Sequence, residues 1–127
     1  MLVDDDEDDR EFFRQAMEEI LPGMVCDTAA NGQIALDRLN ASVVRPELIF
    51  LDLNMPLMNG WQFLNEIGKQ QTLIQIPVVI LSTSGDAQTV RQTIAMGAKH
   101  FITKPDLLQG WETVLKQFFD NIEKILK

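Results

Sequence analysis

The sequence predicts an α/β domain of three layers, a parallel five-stranded sheet with helices on both faces. Two observations carry this. Short apolar runs alternate with longer segments of helical periodicity along the whole chain. The runs Leu48-Ile49-Phe50-Leu51 and Val78-Val79-Ile80-Leu81 contain no polar residue, as strands buried on both faces require. With 127 residues and 46% hydrophobic content, the chain can bury one core, and a single domain over residues 1–127 is expected.

Taken in order, Met1-Leu2-Val3 is a very short apolar run that reads as the first strand. Phe12, Phe13, Ala16, Met17 and Ile20 then mark one face of a helix, with Asp8 and Glu11 spaced as a capping box and Pro22-Gly23 ending it. Met24 to Ala29 reads as the second strand, and Gly32 to Asn40 as a helix that turns Ile34, Ala35 and Leu39 inward. Leu48 to Leu51 is the third strand. Asn59-Gly60 opens a helix carrying Trp61, Phe63, Leu64 and Ile67. Pro77 to Leu81 is the fourth strand, Asp86 to Met96 a helix, and Phe101-Ile102 a short fifth strand. Leu107 to Lys127 is a long fifth helix with a stripe of Trp111, Leu115, Phe118, Ile122 and Ile125.

A net charge of −8 and a pI near 4.5 exclude a non-specific nucleic-acid binder, which needs clustered Lys and Arg. Cys26 is the single cysteine, so no internal disulfide can form; it reads as a buried structural thiol in a reducing cytoplasm. No apolar run reaches the roughly 20 residues of a membrane span, and Met1-Leu2-Val3 followed by acids lacks a signal peptide's basic head, so no membrane association is expected.

In a parallel sheet, ligands gather at the carboxyl ends of the strands. Asp4-Asp5 follows the first strand, Asp52 the third, Ser82-Thr83 the fourth and Lys104 the fifth. Carboxylates crowded in this way repel by about 4 kcal/mol per pair at 4 Å and an effective dielectric of 20, so a counter-charge is expected. Lys104 supplies one charge and a Mg²⁺ would supply two more; oxygen-only ligands suit that ion. A carboxylate with a metal, an ammonium and a hydroxyl around it can take up a phosphoryl group, and Asp52 is the central acid. Asp6, Glu7, Asp8 and Asp9 read as a solvated helix N-terminus, favoured by the helix dipole. Ser84 reads as a turn residue, and His100 as a surface or partly packed one.

Val3-Asp4-Asp5, Leu51-Asp52-Leu53-Asn54-Met55-Pro56-Leu57-Met58-Asn59-Gly60, Pro77 to Thr83, Gly97-Ala98 and Lys104-Pro105 resemble, in order, the signatures of response-regulator receiver domains. The resemblance covers essentially the whole chain. It implies a flavodoxin-like fold with strand order 2-1-3-4-5 and a regulatory phosphoacceptor rather than an enzyme acting on others. Asp52 would accept phosphate, Asp5 would bind Mg²⁺ directly and Asp4 through water, and Asn54 would offer its main-chain carbonyl. Ser82 would hydrogen-bond the phosphoryl group, Lys104 would pair with it, and Phe101 would be an aromatic switch. The Lys104-Pro105 bond would be cis. A histidine kinase or a histidine phosphotransfer protein would donate, and a downstream protein, or a second copy, would read the face formed by residues 86–127.

Three other functions fit less well. A haloacid-dehalogenase-like phosphotransferase needs a second Asp where Asn54 stands. A flavodoxin would place a hydroxyl-rich phosphate loop after the first strand, where this chain has acids. A receiver-like module that is never phosphorylated would have no need of the full set of acceptor residues. The chain is expected to be either a stand-alone regulator or a piece of a longer one.

Overall fold

The computed structural model describes residues 1–127. The elements in chain order are β1 (Leu2–Val3), α1 (Glu7–Ile20), β2 (Thr28–Ala29), α2 (Gly32–Ala41), β3 (Ile49–Leu51), α3 (Gly60–Gly68), β4 (Val78–Ser82), α4 (Ala87–Ala95), β5 (His100–Thr103), α5 (Leu108–Asp120) and α6 (Ile122–Ile125). The strands form one parallel sheet in the order β2-β1-β3-β4-β5, the flavodoxin-like arrangement. The order reverses between β1 and β3, and that crevice is where ligands of such folds bind.

Side-chain alternation divides the core between the two faces of the sheet. Ile49, Leu51, Val78 and Ile80 point to the face covered by α2 and α3, where Ala35, Leu39, Phe63 and Ile67 complete a mainly aliphatic layer. Phe50, Val79 and Leu81 point to the other face, packed by Phe13 and Met17 of α1 and by Trp111, Leu115 and Phe118 of α5. That layer is aromatic: the Phe50 ring lies edge-on to Phe13 at 5.1 Å and to Phe118 at 5.5 Å.

Most helices start where a side chain satisfies a free backbone N–H. The Asn31 side-chain Oδ1 accepts from Ile34 N–H at 2.9 Å, and Asn59 and Gln62 form a full capping box on α3. Asp86 caps α4, accepting from Thr89 N–H at 2.9 Å.

Several boundaries differ from the sequence reading. Asp6, not Asp8, caps α1, because Asp6 is extended and accepts the Asp9 N–H at 2.9 Å. β2 has two residues rather than six: its one sheet neighbour is β1, itself two residues long, so Met24 and Val25 are left 51% and 89% exposed. Ile34 is 37% exposed rather than inward. The last helix is not continuous, so there are six helices instead of five. Asn121 leaves helical geometry at φ −116° and ψ 13°, and its side-chain amide donates to the Gln117 carbonyl. Cys26 is half-buried, and burial raises its pKa.

Candidate functional site: an acidic cluster around a buried lysine

The sheet ladder carries the first two acids into contact. Asp4 N–H donates to the Ala29 carbonyl at 3.0 Å, and Asp52 N–H donates to the Val3 carbonyl at 2.9 Å, so both leave neighbouring strands at the same level. Both are buried, at 0% and 5% exposure. Leu53 N–H holds Asp52 Oδ1 at 2.9 Å, and Asp6 N–H holds Asp4 Oδ1 at 3.0 Å. The start of α3 closes directly over this exit: a Cβ at Gly60 would sit 2.3 Å from the Asp52 carbonyl oxygen, so any side chain there would push the helix away.

Lys104 leaves β5 with its N–H bonded to the Ser82 carbonyl at 2.9 Å, which ties the ends of β4 and β5 together. Its side chain is 6% exposed, and Nζ lies 2.8 Å from Asp4 Oδ2, 2.8 Å from Asp9 Oδ2 and 3.2 Å from Asp52 Oδ2. Asp5 is exposed, yet its carboxylate can join those of Asp4 and Asp52 with one oxygen of each within 4.8 Å of the others. Three carboxylates thus surround one ammonium, and a fourth, that of Asp5, lies beside two of them.

The electrostatics follow from that imbalance. Burial pushes the Asp4 carboxyl up to about 6, with Lys104 and the Asp6 N–H pulling the other way. Burial raises Asp52 as well, against Lys104 and the Leu53 N–H. For Lys104 burial acts downwards, but Asp4, Asp9 and Asp52 outweigh it and the pKa ends above the usual value. Burial lowers His100, which stacks on Phe118 at 5.9 Å.

The residues fit a hard divalent cation. All donors are oxygens, negative charge is in excess, and Asp4 Oδ2 is buried without a hydrogen-bond donor. Its 2.8 Å approach to Lys104 meets the distance of an ion pair but lacks the alignment of a hydrogen bond, so the oxygen retains unused acceptor capacity.

The other expected residues fall around the cluster. Ser82 is the last residue of β4 and wholly buried, its hydroxyl oxygen accepting a long bond from Ser84 N–H at 3.4 Å. Asn54 stands in the exposed turn after Asp52, outside the carboxylate group. Phe101 lies on β5, half-buried against the aliphatic layer. The Lys104–Pro105 bond is trans, not cis. Trans is the intrinsic preference even before proline, and from it Lys104 already reaches the acids.

Asp9 was missed in the sequence, where it reads as a solvated acid. Its place in the first turn of α1 was legible; its pairing with a lysine 95 residues away was not.

The model of the response regulator receiver domain family matches residues 1–112. This chain belongs to that family. As a receiver it is a regulatory phosphoacceptor domain of two-component signalling, of a class that binds Mg²⁺ or Mn²⁺ at an acidic cluster. It is 43% identical over 104 residues, 77% of its length, to the protein-glutamate methylesterase/protein-glutamine glutaminase of Treponema denticola, and spans 27% of that relative. The receiver fold is similar to that of the phosphorylated cyanobacterial phytochrome response regulator RcpA, at 30% identity and a TM-score of 0.86, covering 94% of this chain and 89% of that one. It is similar also to the Mn²⁺-bound response regulator Rcp1, at 27% identity and a TM-score of 0.73, covering 92% and 88%. No helix of the receiver is long and apolar enough to cross a membrane.

Proposed function

We propose that residues 1–127 act as one receiver in which Asp52 accepts the phosphoryl group, with Mg²⁺ held by Asp4, Asp5, Asp52 and the Asn54 main-chain carbonyl. The observation that carries this reading is the convergence of buried Asp52 and Asp4 on the Lys104 ammonium at 3.2 and 2.8 Å, at the strand ends of the switch point. The bound ion would neutralise charge on the phosphoryl oxygens and on the acids.

The remaining chemistry belongs to the chain's own residues. One Asp52 oxygen attacks phosphorus as the donor's P–N or P–O bond breaks, and the leaving group keeps the electron pair and is protonated by solvent. Lys104 pairs with a phosphoryl oxygen, and the Ser82 hydroxyl donates to another. Leu53 N–H keeps the Asp52 carboxylate from rotating, since it already binds Oδ1. The donor is a histidine kinase or a histidine phosphotransfer protein, and a cytoplasmic setting agrees with the free Cys26.

Output runs through Ser82 and Phe101. Ser82 moves towards the phosphoryl group, Phe101 turns into the space vacated, and the face of α4, β5 and α5 changes for a downstream protein or a second copy. α4 is lightly seated, which favours this reading: Thr93 is its one buried residue, while Ile94 and Met96 are 44% and 40% exposed.

The test is intact mass after incubation with acetyl phosphate and Mg²⁺. The parent should gain one phosphoryl group and Asp52→Asn none. A variant labelled as well as the parent would remove Asp52 as the acceptor.

A further inference from the structure

We propose that Asp9 is a positioning residue of this site: it holds the Lys104 ammonium on the α1 side of the cluster and must yield it when a phosphoryl group arrives at Asp52. The inference rests on the reading of Asp52 as acceptor.

Three acids surround Lys104 Nζ, but the one directed hydrogen bond goes to Asp9, at 2.8 Å. The contacts with Asp4 and Asp52 are ion pairs by distance alone. Asp9 thus orients the ammonium. It is also the one acid of the three outside the group of Asp4, Asp5 and Asp52 whose oxygens can share a cation. Once a cation draws on Asp4 and Asp52, Asp9 remains the competitor of a phosphoryl group for Lys104.

The local structure of α1 frees Asp9 for this. Asp9 is the third residue of the helix, where an acid commonly reaches back to the cap residue's N–H. Here Asp4 Oδ1 takes the Asp6 N–H, so the Asp9 carboxylate is released to turn towards β5. Exposure decides which partner can let go. The Asp9 side chain is 23% exposed and that of Asp4 0%, so breaking the Asp9 pair returns a carboxylate to water, whereas breaking the Asp4 pair strands one in the interior. A phosphoryl group, with nearly two negative charges, outcompetes a single wet carboxylate for the ammonium.

The experiment uses beryllofluoride with Mg²⁺ as the phosphoryl mimic, in the parent, Asp9→Asn, Lys104→Gln and the double variant. Asp9→Asn should bind the mimic about fivefold more tightly, as release of one charge-assisted hydrogen bond near the surface predicts. In the Lys104→Gln background the same change should alter affinity by less than about twofold, because Asp9 acts through Lys104. In the metal-free protein, the Lys104 Nζ chemical shift, followed through Cε, should move in Asp9→Asn. An unchanged or weaker affinity, an unmoved Nζ signal, or an equal gain in both backgrounds would overturn the proposal. If the parent itself fails to bind beryllofluoride, the acceptor reading falls; if the parent binds and Asp9→Asn matches it, the role of Asp9 alone falls.

Discussion

Leu51 and Asp52 are adjacent on one strand exit and almost equally buried, at 0% and 5% exposure, yet burial acts on them in opposite directions. For Leu51, removal from water stabilises the fold by about 2 kcal/mol. For Asp52 and its neighbour Asp4, the same removal disfavours the charged form and raises the pKa. The boundary between a core that stabilises and a rim held against stability is one residue wide. Native charges kept in such a place indicate selection for chemistry rather than for folding.

Substitutions on either side of that boundary should therefore differ in sign. The largest effect belongs to the core. Phe63→Ala, at a wholly buried ring of the aliphatic layer, should lose about 3–5 kcal/mol, read as a lower urea midpoint. A loss under about 1 kcal/mol would mean that the α3 face repacks freely.

Asp4→Asn should show the opposite sign without metal. A carboxyl whose folded pKa is raised from 3.8 to about 6 contributes stability below 3.8, and that contribution is lost as pH rises through about 6. The variant and parent should thus be close in stability near pH 4, diverge between pH 4 and 6, and stay apart above it, with the variant ahead by on the order of 3 kcal/mol. Mg²⁺ should narrow the gap by stabilising the parent alone. A variant less stable than the parent at pH 7 would show that Lys104 already compensates the rim.

Smaller effects sharpen the picture at the loop between β3 and α3. Leu57 is held at φ 65° with 83% of its surface exposed, a conformation unfavourable for leucine and tolerated by asparagine. Leu57→Asn should gain about 1 kcal/mol in thermal unfolding. Asn59→Ala, which removes the α3 capping box, should lose about 1 kcal/mol, with faster amide exchange confined to the first turn of α3. If both behave alike, the loop responds as one body and not residue by residue.

The same boundary explains what the sequence disclosed. β3 and β4 were legible because their runs are apolar throughout, and the residues after them were legible as a site because polar groups there are conspicuous. β2 was overextended because Met24 to Cys26 is apolar, and apolarity cannot report that the neighbouring strand has run out. The break at Asn121 was hidden by Ile122 and Ile125, which continue the stripe of α5. With six acids in a row, Asp6 and Asp8 were equally good caps, and no local pattern marks which acid will meet Lys104.

The chain has two tryptophans and no tyrosine. Trp111 is wholly buried beside Phe12 in the aromatic layer, while Trp61 is half-exposed, next to the Gly60 that touches the Asp52 exit. The receiver therefore contains two optical probes in different surroundings. Trp61→Phe should leave a blue-shifted emission that follows unfolding of the interior. Trp111→Phe should leave a redder one, sensitive to events at the acidic cluster, so that loading of the site and integrity of the fold can be watched separately in one cuvette without any attached dye.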